Sequence, residues 1–391
     1  MSKPQTFEKP MGFRDFPPFI AEKKRFLEDR VRHQFIKWGY REVYTPALEF
    51  FDTVGQASEI PVSRMFKCMD RDGNMLVLRP DQTAPIARLV TSVLKKEPLP
   101  LRLFYHGTVF RAQEKEAGRN SERFQSGVEL VGQPGPEADG EVIALAVESL
   151  KACGIGFPNI VLSHVGLLEG FLRERIHQEE IIEKLKETLE VRDLVTFRRV
   201  VENLGISRRE QKEIMNVTKP GLERKDWPML LESAKTEEVR GKFLYLKQVW
   251  DHLEVYGCVS RVKVDLSLVG SLGYYTGVYF EGYAEGVGFP LVSGGRYDQL
   301  YQSFHAHLPA TGFALKTDRL LEASPLKPAL PKRIAVFYEP HLQEEAYRKV
   351  QSLRNEGCAV IMQQTDGRGD LQALDVDETL MITGEGGWSS C

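Results

Sequence analysis

The sequence predicts an α+β protein, a mainly antiparallel sheet flanked by helices, with a helical insertion and a small C-terminal α/β appendage. Three observations carry this expectation. Strand-like runs such as LRLFYHGTVFR and RFQSGVELVG lie on both sides of one long charged stretch. That stretch, from Leu167 to about His252, has helical character and short breaks at Gly205 and Lys219-Pro220-Gly221. The proline-rich SPLKPALPK, 324–332, is followed by a strand–helix–strand pattern. The expected organisation is a sheet domain over 1–323 holding an insertion at about 167–252, a linker over 324–332, and the appendage over 333–391.

The elements follow in chain order. Phe19 to Trp38 carries apolar residues at helical spacing with charges between, and Gly39 stops it. EVYTPALEF reads as extended; Pro46 cannot donate to a ladder, so an edge or interface strand is expected. MFKCMDRDGNMLVLRP reads as a hairpin turning at Asp72-Gly73, with a helix from about Thr83 to Lys95 after it. AQEKEAGRNSE joins the next two strands; it is long for a hairpin loop, and such loops are often functional. Glu137 to Cys153 is helical and Asn159 to His164 a strand. After the insertion, strands resume at RVKVDLSLV and continue to Gly294, and a helix starts near Thr317. RIAVFYEP, a helix from His341 to Asn355 and CAVIMQQ make a βαβ unit, with TLMITG as the last strand. This last region is small for an independent α/β domain.

Composition narrows the function class. The chain has 391 residues, 42% hydrophobic and 27% charged, enough for a substantial core. A formal net charge of -3 lacks the overall basic excess usual in nucleic-acid binders, although it does not exclude a local patch. The five cysteines are dispersed, without CxxC or metal-ligand spacing, and their odd number fits a reducing cytosol. The N-terminus lacks the apolar region of a signal peptide, and no run of about 18 apolar residues suggests a membrane span. The eight histidines form no HxxxH or HExxH cluster, so lone ones such as His106 and His164 read as packed or surface residues rather than ligands.

Four stretches place polar groups where a strand would otherwise be apolar. In LRPDQTAP, Asp81 and Thr83 open a helix; both types cap helices, and Asp81 is also placed to face an ammonium group. Arg111, at the end of an apolar strand, reads as a surface ion pair or as a bidentate anion ligand. In FQSGVELVG, Gln125, Gly127 and Glu129 share one face; this is either a polar outer face or a pocket wall with room above Gly127. In LGYYTG, Tyr274 and Tyr275 alternate faces, as packed rings or as one ring with an outward hydroxyl. VSGGRYDQL and TGFALKTDRLLEA add a glycine-rich turn and a strand-to-helix step carrying Arg319. No Walker-type or GxGxxG motif occurs, which gives no support to a P-loop or Rossmann site.

From about Met11 to Glu322 these stretches, in order, resemble histidyl-tRNA synthetase, a class II aminoacyl-tRNA synthetase. GYREVYTPALEF is similar to the first class II motif, which forms the dimer interface. LFYHGTVFR with FQSGVELVG is similar to the second, GFALKTDRLLEA to the third, and LGYYTGVYFE to the histidine-specific loop. The resemblance implies a histidine pocket. Asp81, Thr83 and Gln125 would meet the α-amino end, and Arg111 the carboxylate. Glu129 and Tyr274 would read the imidazole nitrogens, with Tyr275 beside them.

The catalytic half of the pattern departs. Gly270 stands where the family has an arginine that stabilises charge during adenylation, and loss of such a group typically costs ~100- to 1000-fold. Gln113 replaces the glutamate that helps to hold ATP, and Lys316 replaces the glycine that makes room under adenine. Arg119 and Arg319, the phosphate-contacting arginines of the pattern, are still present, either as remnants of that site or as ligands of another anion. The C-terminal region is shorter than the family's anticodon-binding domain and has no basic cluster.

A histidine pocket with broken ATP chemistry resembles a branch of this family without synthetase activity, the regulatory subunits of ATP phosphoribosyltransferase in bacterial histidine biosynthesis. The resemblance implies a cytoplasmic, non-catalytic subunit of a glycosyltransferase complex, with L-histidine as regulatory ligand and no cofactor. The implied partners are a short-form catalytic subunit and a second copy of the chain, joined through the 39–50 region. Neither tRNA nor a membrane is expected as a partner. The alternatives are a histidine–tRNA ligase with a divergent site and a module that senses histidine or uncharged tRNA.

Overall fold

The computed structural model describes residues 6–112, 120–268, 275–365, 374–382 and 388–390. The chain divides into two compact units, Met1–Leu326 and Lys327–Cys391. The first opens with α1 (Pro18–Lys37), where proline at the first helical position needs no N–H partner. Gly39, at φ 82°, takes the left-handed conformation that ends it. Pro46 separates two short strands, β1 (Arg41–Glu42) and β2 (Leu48–Phe50). The expected hairpin is β3 (Lys67–Met69) and β4 (Met75–Leu78). Its turn is closed by the Asp70 carboxylate, which accepts from the N–H groups of Asp72 at 2.9 Å and Asn74 at 2.8 Å. β2 pairs antiparallel with β4, so both extended pieces around Pro46 lie at sheet edges, as a strand proline requires.

Next come α2 (Thr83–Ser92), β5 (Leu101–Phe110), β6 (Glu122–Val131), α3 (Pro136–Ala152) and β7 (Asn159–His164). The insertion holds α4 (Leu167–Arg173), α5 (Glu179–Glu190), α6 (Leu194–Glu202), α7 (Arg208–Val217), α8 (Trp227–Ser233) and α9 (Glu237–Val255). It is more finely broken than expected, with further interruptions after Arg173, after Glu190 and after Ser233. The sheet resumes with β8 (Val262–Val264), β9 (Val278–Tyr283), β10 (Val292–Arg296) and β11 (Ala310–Lys316), which leads into α10 (Thr317–Ala323). RVKVDLSLV is strand only at its start. The Asp265 carboxylate accepts from the Ser267 N–H at 2.9 Å, turning the chain out of the ladder.

The described residues form an eight-stranded sheet ordered β1-β5-β6-β11-β10-β9-β7-β8. It is antiparallel from β5 to β7, and parallel only in the outer pairs β1–β5 and β7–β8. One face carries Phe104, Val128 and Leu130 against Phe35 of α1 and Val142 and Leu145 of α3. That core continues into the insertion through Phe171, Phe243 and Trp250. The other face carries Leu103, Tyr105 and Val131 with Ala84 and Ala87 of α2. Between β7 and β9 the connection runs through the insertion, which is tied to the sheet domain by the Tyr245 hydroxyl, 2.7 Å from the Asp139 carboxylate it donates to.

In the second unit, β12 (Arg333–Tyr338), α11 (Gln343–Asn355), β13 (Ala359–Gln364), β14 (Glu378–Ile382) and β15 (Trp388–Ser390) form a sheet ordered β13-β12-β14-β15. β12 is parallel to β13 and β14, the expected βαβ arrangement, and Ala346 and Val350 of α11 bury Ile334 and Val336. Among the described residues, no helix is long and apolar enough to cross a membrane.

Candidate functional site

The side-chain parity of β6 decides which face can hold a ligand. Val128 and Leu130 point into the core under α1 and α3, so Gln125 and Glu129 point to the opposite face. There a cleft of about 660 Å³ opens. It gathers Asp81, Thr83, Arg111, Gln125, Glu129, Tyr275 and Arg319 from five separate segments of the chain. Tyr274 and Arg119 lie outside the described residues, as do Gly270 and Gln113.

Glu129 is the most enclosed charged group of the cleft, 2% exposed. The Thr83 hydroxyl donates to its Oε1 at 3.0 Å, and the Tyr297 phenol donates to its Oε2. Burial pushes its carboxyl up to about 8, and the Asp81 charge adds to this, against the lowering effect of the two hydroxyl bonds. Gly312, paired with Glu129 across the ladder, makes the arrangement possible: a Cβ there would collide with the Glu129 carboxylate. The space above Gly127, expected to be left for a ligand, is instead taken by the phenol of Tyr105, its cross-strand partner.

Both readings of Asp81 meet in one side chain. Its Oδ1 accepts from the Ala84 N–H at 2.9 Å, capping the first turn of α2, while the Ser58 hydroxyl donates to Oδ2 and the residue lines the cleft. Arg111 leaves β5 with its Nε donating to the Pro80 carbonyl at 2.7 Å, which aims the guanidinium along the cleft wall. Tyr275 is buried, its ring 4.9 Å from that of Tyr279 between centroids.

Tyr105, Tyr279, Tyr297 and Glu281 also line the cleft and were not foreseen. A local signal existed for Tyr297, an aromatic directly after the glycine-rich VSGGR, and for Tyr105, an aromatic polar residue within an apolar strand. His106 is packed, its ring against Phe35 and Phe104 and its Nδ1 2.7 Å from the Ser126 hydroxyl, on the face away from the cleft. Asp81 and Glu129 make one end of the cleft acidic. Arg111, Arg123, Lys316 and Arg319 supply cations elsewhere in it, interspersed with Glu281, Asp318 and Glu322, a layout suited to a small molecule carrying both signs of charge.

Residues 12–320 match the family model described as histidyl-tRNA synthetase. A Bacillus licheniformis protein named ATP phosphoribosyltransferase regulatory subunit is 42% identical over 94% of this chain and 94% of its own. The crystal structure of a Bacillus halodurans protein titled ATP phosphoribosyltransferase regulatory subunit/histidyl-tRNA synthetase superposes with a TM-score of 0.87. It is 38% identical, with 95% of this chain and 96% of that one covered. Histidyl-tRNA synthetase from Nostoc sp. PCC 7120, 21% identical with a TM-score of 0.81 over 99% of this chain and 97% of its own, shares the fold.

Proposed function

The chain belongs to the histidyl-tRNA synthetase family, among relatives named as regulatory subunits of ATP phosphoribosyltransferase, and from that membership we propose that it is such a subunit. It serves the first step of histidine biosynthesis, where it is required for the transferase and lets histidine inhibit it, without aminoacylation activity of its own. The observation that carries this reading is the full-length likeness to those subunits, and it is supported by one cleft lined by Asp81, Thr83, Arg111, Gln125, Glu129 and Tyr275.

Free L-histidine presents an ammonium group, a carboxylate and an imidazole. Asp81 offers the ammonium a charge partner, Arg111 the carboxylate a guanidinium, and Glu129 the ring a buried carboxyl. The imidazole would meet Glu129 by exchanging for one of its two hydroxyl partners, Thr83 or Tyr297. Histidine regulates the transferase only as far as it binds two states of the complex unequally, with coupling typically ~1–3 kcal/mol.

The homodimer belongs to the same proposal. β2 is inverted relative to an ordinary surface strand: Leu48 and Phe50 are exposed while Glu49 is buried against Arg88, whose Nε and Nη2 donate to its carboxylate at 2.9 and 2.8 Å. Met69 and Met75 are exposed on the same small sheet and Tyr44 just before it. An apolar surface of this kind fits a second copy of the chain.

The test is co-purification with a short-form catalytic subunit, assayed with and without L-histidine. Association, activation and inhibition by histidine are expected; failure of both association and activation sinks the reading. Robust ATP–pyrophosphate exchange with histidine would favour a ligase instead.

A further inference from the structure

Tyr105 of β5 stands directly across from Gly127 of β6 and lines the cleft. The oxygen end of its phenol lies over Gly127, since a Cβ there would meet the hydroxyl and the ring carbon that bears it. Gln125 and Glu129 lie two residues to either side on the same face of β6, so the hydroxyl sits on the cleft floor between them. Tyr105 is 3% exposed. Among the described residues its hydroxyl makes no hydrogen bond, and neither does the Gln125 side chain.

A phenol buried this deeply ordinarily has a partner. Here the nearby carboxylates are matched to other groups. Glu129 accepts from the Thr83 hydroxyl on Oε1 and from the Tyr297 phenol on Oε2. Asp81 accepts from the Ala84 N–H on Oδ1 and from the Ser58 hydroxyl on Oδ2. Tyr105 is left facing the cleft with an unused oxygen. Burial, and then the Glu129 and Asp81 charges, raise its proton affinity well above the ordinary phenol value, with the Arg111 charge acting against them. The oxygen is therefore a neutral acceptor in surroundings that favour a cation.

We infer that Tyr105 is a specificity-determining residue of this cleft: its hydroxyl oxygen accepts a hydrogen bond from the ammonium group of the ligand, beside Asp81. This rests on the histidine reading and deepens it. An ammonium group brings three N–H donors, and a carboxylate oxygen with one partner can still accept a second. Asp81 supplies the charge and one acceptor. The Gln125 carbonyl and the Tyr105 oxygen, both without partners, supply the other two. The cleft then selects an amine over the same molecule lacking it, because without the amine these two acceptors stay unpaired.

The test is calorimetric titration of the full chain and of Y105F with L-histidine, with histamine, and with imidazole-4-propionate, which lacks the amine. Y105F should weaken histidine and histamine on the order of ten- to a hundredfold and leave imidazole-4-propionate unchanged. Its urea midpoint without ligand should not fall, because the hydroxyl has no partner to lose. A Y105F that fails to fold, or that unfolds at lower urea, shows that the hydroxyl serves the fold and overturns the inference. So does a Y105F that binds histidine as tightly as the parent, or one that loses as much affinity for imidazole-4-propionate as for histidine, which would put the hydroxyl on the ring or the carboxylate. If the parent itself binds no histidine, the histidine reading falls and this inference with it; if the parent binds histidine and Y105F matches it, that reading stands and only this inference falls.

Discussion

The phenol of Tyr297, one residue beyond β10, reaches across β11 to hydrogen-bond the carboxylate of Glu129 on β6. The bond spans three strands because Gly312 leaves the middle one bare. It lowers the proton affinity of a carboxyl that burial has raised. Y297F removes the donor and leaves Oε2 without it in a dry site. The expected outcome is a loss of about 1–2 kcal/mol in urea unfolding and an upward move of the Glu129 titration, read by carboxyl carbon NMR. An unchanged titration would mean that the hydroxyl does not act on Glu129.

Stability should carry the signature of that carboxyl. The unfolded group titrates near 4.5 and the folded one at about 8, so between these values the native state holds a proton that the unfolded chain has released. The contribution of Glu129 to stability therefore falls as pH rises from 4.5 to 8 and is level above that. E129Q never acquires the charge. Relative to the parent it should gain on the order of 4 kcal/mol between pH 4.5 and pH 9, compared by denaturation at the two values. Parallel pH profiles for the two proteins would refute this.

The proposed dimer rests on β2, where Phe50 is 52% exposed. F50E places a charge on the apolar face without touching a core. Sedimentation should show the variant shifted to monomer, with its circular dichroism spectrum unchanged. A dimer that survives F50E and M75E together would place the interface elsewhere.

Local patterns located most elements, because helical and strand periods are set by nearest neighbours. α1, the hairpin at Asp72-Gly73 and the long pair β5–β6 lie where their periodicity puts them. Asp81, Thr83, Gln125 and Glu129 were legible as polar residues in apolar surroundings. Tyr297 was not legible as part of the cleft, whereas Lys316 was reached only through the family resemblance. The role of Tyr297 depends on β11 lying between β6 and β10, so that Glu129, Gly312 and Gly295 fall in register across three strands. Strand order is a long-range property, and no window around Tyr297 contains it. The space above Gly127 was misjudged for the same reason, since its occupant Tyr105 belongs to the neighbouring strand.

The same strand leads to the last prediction. Arg296, the residue before Tyr297, is 5% exposed and forms a two-pronged pair with Asp139 of α3, Nε to Oδ2 at 3.0 Å and Nη2 to Oδ1 at 2.9 Å. Burial raises the Asp139 carboxyl, and the Arg296 charge and the bonds from Arg296 and Tyr245 act against that rise. D139A strips the two-pronged partner at once and leaves the buried guanidinium with only the longer Asp298 contact, 3.3 Å from Nη1, and the Gly135 carbonyl to balance it. It should cost about 3–5 kcal/mol in urea unfolding. Adding R296M to D139A should recover much of the loss, because the penalty lies in the orphaned charge rather than in the missing bonds. Since Arg296 also sets the backbone from which Tyr297 reaches Glu129, D139A should weaken histidine binding in the folded fraction, and the double variant should not restore it. A single variant costing less than about 1 kcal/mol would show that water or another group takes over the Arg296 charge.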